Sequence, residues 1–111
     1  MYSLWEKFRK NEDYYKIIQS RWGIPILLVL KNKEKTKIYD LMMNVIGFGP
    51  RPSYKSFKDF LRKMENLGLV SIQSNVVVLT ELGANLANIA EELINRVDGL
   101  IENYRGRSQE Q

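Results

Sequence analysis

The chain reads as mainly α-helical with a small β-hairpin and a long helix at its C-terminal end. Three observations predict this class. Apolar residues recur at helical spacing in four separate stretches, and a fifth, Ile24 to Leu30, is apolar all round. Two β-branched runs, LVSIQ and VVVLT, are separated by Ser74-Asn75, the signature of a tight hairpin. From Glu81 onward an apolar stripe persists for roughly six helical turns with no proline. A chain of 111 residues supplies one domain with one core.

The elements follow in order. Tyr2 to Ser20 is expected as one helix, with Leu4, Trp5, Phe8, Tyr15 and Ile18 along one side. Trp22-Gly23 breaks it, and Trp22 is expected as a core anchor at the junction. Pro25 suits the first turn of a second helix, where its missing N–H costs nothing. Ile24 to Leu30 is apolar all round, so this helix is expected at the centre of the core. KNKEKTK (Lys31 to Lys37) is a basic connection, and Thr36 is expected to cap a third helix carrying Ile38, Leu41, Met42 and Val45. Gly47 ends it.

FGPRP then reads as a turn, because Pro50 and Pro52 push the residues before them out of helical geometry. Ser53 is the expected N-cap of a fourth helix, with Phe57, Phe60, Leu61 and Met64 inside and Tyr54, Lys55, Lys58 and Arg62 outside. Gly68 closes that helix, and the hairpin follows. Glu81 to about Tyr104 forms the last helix, and Arg105 to Gln111 is expected as a frayed tail. The organisation expected is therefore residues 1–80 as one unit, 81–104 as a projecting helix and 105–111 as a tail.

Composition narrows the function classes. With no Cys and no His, there is no thiolate, no disulfide, no cysteine zinc site and no histidine base. No Gly-rich phosphate loop is present. A non-enzyme with no cofactor and no metal is the expectation. The longest apolar run, GIPILLVL, is far short of the roughly 18–20 residues that span a bilayer. The N-terminus mixes acid and base with no small-residue cleavage site, so a cytoplasmic protein is expected.

The net charge of +4 is unevenly placed. Residues 31–63 hold nine Lys/Arg and three Asp/Glu, whereas residues 81–111 hold three and six. A basic middle beside an acidic end suggests a polyanion partner for one face and a different task for the other.

Two helices joined by a short turn and followed by a hairpin make the winged helix-turn-helix arrangement, whose second helix presents one face to a DNA major groove. The residues also resemble a known family. RWGIPILLVL, IYDLMMNVIG, SYKSFKDFLRKMENLGLV and VVLTELGANL are similar to winged-helix regulators of the HxlR and MarR type. The matching features are Trp22, Ser53, the run Leu61-x-x-Met64-Glu65-x-x-Gly68-Leu69-Val70, and Leu79-Thr80-x-x-Gly83. The resemblance covers residues 22 to about 90. It implies Ser53, Tyr54, Lys55, Ser56 and Lys58 at or near the major groove, with Thr36 and Lys37 on backbone phosphate. The family's wing usually carries a basic residue at its tip, and Gln73-Ser74-Asn75 carries none. Members of the HxlR type often sense through a Cys, which this chain lacks.

With that fold, Lys35, Arg51 and Arg62 join the expected DNA-contacting set, Lys31 and Lys33 lie near it, and phosphate neutralisation supplies most of the affinity. Arg51 or Lys55 is placed to address guanine, while Ser, Thr and Lys serve phosphate equally well. Tyr54 either meets DNA or packs on the turn beside Phe48. In the last helix Leu86, Ala90, Leu93, Val97, Leu100 and Tyr104 are spaced 4, 3, 4, 3 and 4, a heptad seam that predicts a homodimer. Ile89, Ile94 and Ile101 widen the stripe, and parallel and antiparallel pairing both remain open. The expected function is a dimeric, sequence-specific regulator of transcription acting on double-stranded DNA. Alternatives are a non-specific architectural DNA-binding protein and a winged-helix protein-interaction module. A small-molecule effector has room between the dimer helix and the core, although no polar cluster marks a site for one.

Overall fold

The computed structural model describes residues 3–47 and 52–109, the side chains of the last two excepted. Its order is α1 (Leu4–Lys10), α2 (Glu12–Gln19), α3 (Gly23–Asn32), β1 (Thr36–Lys37), α4 (Ile38–Ile46), α5 (Tyr54–Asn66), β2 (Val70–Gln73), β3 (Val76–Leu79) and α6 (Glu81–Gln109). Phe48, Pro50 and Arg51, and with them most of the expected FGPRP turn, lie outside the described residues, as does Tyr2.

The single N-terminal helix expected from Tyr2 to Ser20 is instead two. Asn11 leaves helical geometry (φ −110°, ψ 22°) and its side-chain amide donates to the Lys7 carbonyl at 3.1 Å. A short polar side chain that competes for backbone carbonyls stops a helix in this way. The break splits the expected stripe. Ile17 enters the core at 4% exposure, while Leu4 and Trp5 remain 84% and 64% exposed. Trp5, Phe8 and Tyr15 then stack in series, with ring centroids 5.7 and 4.8 Å apart.

α3 is the central helix expected from its uniform apolarity: Ile26, Leu27 and Leu30 are buried, and it packs against α2, α4 and α6. Trp22 is half-buried rather than enclosed. It meets Phe57 and Phe60 edge-on at 5.7 and 5.5 Å, which joins the start of α3 to the inner face of α5. α4 buries Ile38, Leu41 and Met42 and ends at Gly47 with φ +54°. Phe57, Leu61 and Met64 of α5 are buried, and Phe60 is half-buried.

α5 ends in a Schellman motif that explains Glu-x-x-Gly-Leu-Val. The Leu69 N–H donates to Met64 O and the Gly68 N–H to Glu65 O, both at 2.9 Å, with Gly68 at φ +79°. Leu69 and Met64 are both fully buried. The hairpin turn at Ser74 and Asn75 has φ +51° and +63°, the two left-handed residues of a type I′ turn.

The sheet holds a third strand that the sequence pattern did not suggest. Its order is β1-β3-β2, all antiparallel, with Thr36 opposite Val77 and Lys37 opposite Val76. Thr36 is therefore a strand residue and not the cap of α4. The first turn of α4 is satisfied from elsewhere: the Ile38 N–H donates to the carbonyl of Asn75 at 2.9 Å. The wing turn thus caps the first helix of the helix-turn-helix pair.

Thr80 and Gly83 give Leu-Thr-x-x-Gly its physical sense. The Thr80 hydroxyl accepts from the Gly83 N–H at 3.0 Å and donates to Gly68 O at 2.5 Å. A Cβ on Gly83 would stand 1.9 Å from Leu69 O, so only glycine permits this approach of α6 to the sheet. Gly83, Ala87 and Ala90 are buried against the domain, whereas every residue from Glu91 to Arg107 is exposed. α6 also continues through Arg105–Gln109, where a frayed tail was expected. Arg105 pairs with Glu102 at 3.5 Å on the added turn, and no proline interrupts it. None of the described helices is long and apolar enough to cross a membrane.

Candidate nucleic-acid interface

α5 begins at a well-made cap. The Ser53 hydroxyl accepts from the Ser56 N–H at 3.0 Å and donates to the Ser56 hydroxyl at 2.8 Å. This fixes the helix start, and it commits part of both hydroxyls to each other. With 100° per residue, Tyr54, Lys58, Arg62 and Lys55 occupy an arc of about 100° that begins beside Leu61, at the edge of the inner arc of Phe57, Phe60, Leu61 and Met64. Tyr54, Lys55 and Arg62 are exposed, and Lys58 is half-buried. The Lys55 ammonium lies 3.9 Å from Asp59 one turn on, a loose surface pair that leaves the lysine 89% exposed.

Lys58 and Arg62 line a cleft of about 240 Å³ with Ser74, Asn75, Ile72 and Ile38. Its far wall is the wing, held to α5 by the Glu65 carboxylate, which accepts from the Ile72 N–H at 2.9 Å. Spacing within the sequence gave no sign of this contact, because it joins a helix end to a strand that only the fold brings near. The neutral tip Ser74-Asn75 is thus turned toward α4 and α5.

A second basic surface adjoins α4. Lys33, Lys35 and Lys37 border an open concavity of about 760 Å³, together with Asp40, Met43, Asn44 and Val76. Lys37 is exposed directly before α4. Thr36 also lines this concavity, at 9% exposure, which leaves only a small surface for the phosphate contact that the resemblance implied. Lys31 is drawn the other way, into an ion pair with Glu91 of α6. Arg51 lies outside the described residues.

The seam expected on α6 divides. Ala90 is 2% exposed and Leu86 half-buried, both against the chain's own core, while Leu93, Val97, Leu100 and Tyr104 are 47–63% exposed. Between α2 and the first half of α6 runs a groove of about 410 Å³ lined by Tyr14, Tyr15, Ile18, Leu69 and Leu86, with Leu82 and Ile89 at its side. Among the described residues no group of three or more acidic, His or Cys side chains could hold a metal ion.

No family model matches the chain. No curated protein matches it either. Among solved structures, the crystal structure of ligand-free NadR is similar over 97% of this chain and 85% of that one, at 18% identity and a TM-score of 0.67. That likeness concerns the fold: a winged helix with a small antiparallel sheet and a long C-terminal helix.

Proposed function

We propose that the protein is a dimeric, sequence-specific regulator of transcription that binds double-stranded DNA through α5. The observation that carries this reading is the outward arc of Tyr54, Lys55 and Arg62, with half-buried Lys58 among them, on a capped helix of a winged-helix fold. In this geometry the N-terminal half of α5 enters a major groove. Lys55 then meets base edges or flanking phosphate, while Lys58, Arg62, Ser74 and Asn75 flank the cleft between helix and wing, toward the backbone. Lys33, Lys35 and Lys37 extend the positive surface to the backbone beside the groove.

The second chain docks on the exposed part of α6, so that two α5 helices address half-sites about 10 bp, or a multiple, apart on a roughly palindromic operator. Residues 1–80 act as the DNA-binding unit and the helix from Glu81 as the dimer element. The likeness to a ligand-free form of NadR supports a regulator that responds to a small molecule.

Selection from a random duplex pool tests the reading. A recovered palindrome with half-sites in that spacing is the expected result. Retention of DNA with no enriched sequence would contradict a sequence-specific regulator.

A further inference from the structure

The exposed apolar residues of α6 do not follow the heptad that the sequence suggested, because Ala90 faces the chain's own core. One line of apolar residues along α6 runs Leu82, half-buried Leu86, Ile89, then Leu93, then Val97, Leu100 and Tyr104, with the exposed Ile94 and Ile101 to one side of it. The spacing is 4, 3, 4 followed by 4, 3, 4, two eleven-residue repeats of about 3.67 residues per turn. A stripe of that period stays almost straight along an α-helix, and all seven positions fall within roughly 40° of Leu93. Leu86 is half-buried and the other six are 47–63% exposed.

The spacing is the same read from either end, with Leu93 at the centre. A helix with this stripe is complementary to a second copy of itself running in the opposite direction. Leu82 then faces the partner's Tyr104, Leu86 the partner's Leu100, Ile89 the partner's Val97, and the two Leu93 side chains meet on the two-fold axis. The groove between α2 and α6 lies beside Leu82, Leu86 and Ile89 and is walled by Tyr14, Tyr15 and Ile18. It is therefore the place where the partner's last turns arrive. Parallel pairing would leave this groove open, and would stack Tyr104 on Tyr104 beyond the reach of either domain.

We infer that a second copy of this chain docks antiparallel on α6 about Leu93, with the turn around its Leu100 and Tyr104 seated along the groove between α2 and α6. The inference rests on the homodimer reading above and adds its sense, register and occupant. It also gives an occupant for apolar surface that the domain alone leaves in water: Leu82 and Ile89 on one side, Leu100 and Tyr104 on the other.

Engineered disulfides test this cleanly, because the chain has no cysteine. A disulfide forms only where the Cα atoms approach within about 7 Å. Under mild oxidation Leu93→Cys should cross-link to itself. Leu82→Cys alone and Tyr104→Cys alone should not, since their copies stand about 33 Å apart along the seam. An equimolar mixture of those two variants should cross-link. Self-cross-linking of Leu82→Cys or Tyr104→Cys would establish a parallel pair and overturn the inference. So would the absence of any Leu93→Cys cross-link in a protein that sediments as a dimer. A wild-type chain that sediments as a monomer would remove the homodimer reading itself.

Discussion

At Glu65 a carboxylate near the end of α5 accepts the Ile72 N–H of β2, a strand that pairs with β3 on one side only. Removing the acceptor leaves a half-enclosed backbone donor unsatisfied, which costs about 1–3 kcal/mol. Glu65→Ala should therefore lower stability in a denaturant titration by that order, and Glu65→Gln, which keeps an acceptor oxygen, by less. Equal loss in both would show that the hydrogen bond is not the cause. Two glycines of α6 make a complementary pair. At Gly83 a Cβ would meet Leu69 O at 1.9 Å, whereas at Gly99 it would meet nothing within 4 Å. Gly83→Ala must push the helix off the sheet, at a cost of about 1–3 kcal/mol. Gly99→Ala should instead gain up to about 1 kcal/mol through helix propensity. Thermal melts of the two variants should shift in opposite directions. A shared sign would contradict the close approach at Gly83.

At the scale of elements, α6 has two tasks along its length. Gly83, Ala87 and Ala90 hold it to the core, and from Glu91 on it presents apolar side chains to solvent. Leu93→Asp should give a monomer in sedimentation velocity with its helical content kept, because a charge would be placed at the centre of a desolvated seam. A variant that stays dimeric would place the contact on another surface. Much of this architecture was legible in the sequence where the signal is local. The Ser53 cap, the Gly68 ending, the tight hairpin at Ser74-Asn75, the uniform apolarity of α3 and the apolar periods of α4 and α5 each depend on residues within a turn of one another. Non-local contacts were not legible. β1 exists because Thr36 and Lys37 meet Val77 and Val76, some forty residues on, and the Asn75 carbonyl caps α4 from the wing. The break at Asn11 was hidden because apolar residues at helical spacing continue across it. On α6 the burial of Ala90 against the core was not legible, because a small residue suits a seam and a core equally. For the candidate interface, the outward arc of α5 was readable from its period, while the withdrawal of Thr36 and the pairing of Lys31 with Glu91 needed the tertiary fold.

At the scale of the whole molecule, charge and shape point the same way. The basic middle of the chain lies on α5 and around the N-terminus of α4, and the acidic end of the chain lies on α6. DNA binding on one side and self-association along the other is the account that uses both surfaces. Its most direct test is fluorescence anisotropy of duplex DNA against salt, with the wild-type chain beside Lys55→Ala/Lys58→Ala. The account predicts wild-type binding that persists at about 0.15 M salt and weakens steeply as salt rises. It predicts loss of that binding in the double variant with an unchanged thermal melt. Absence of wild-type binding at that salt, or equal affinity in the double variant, would contradict it.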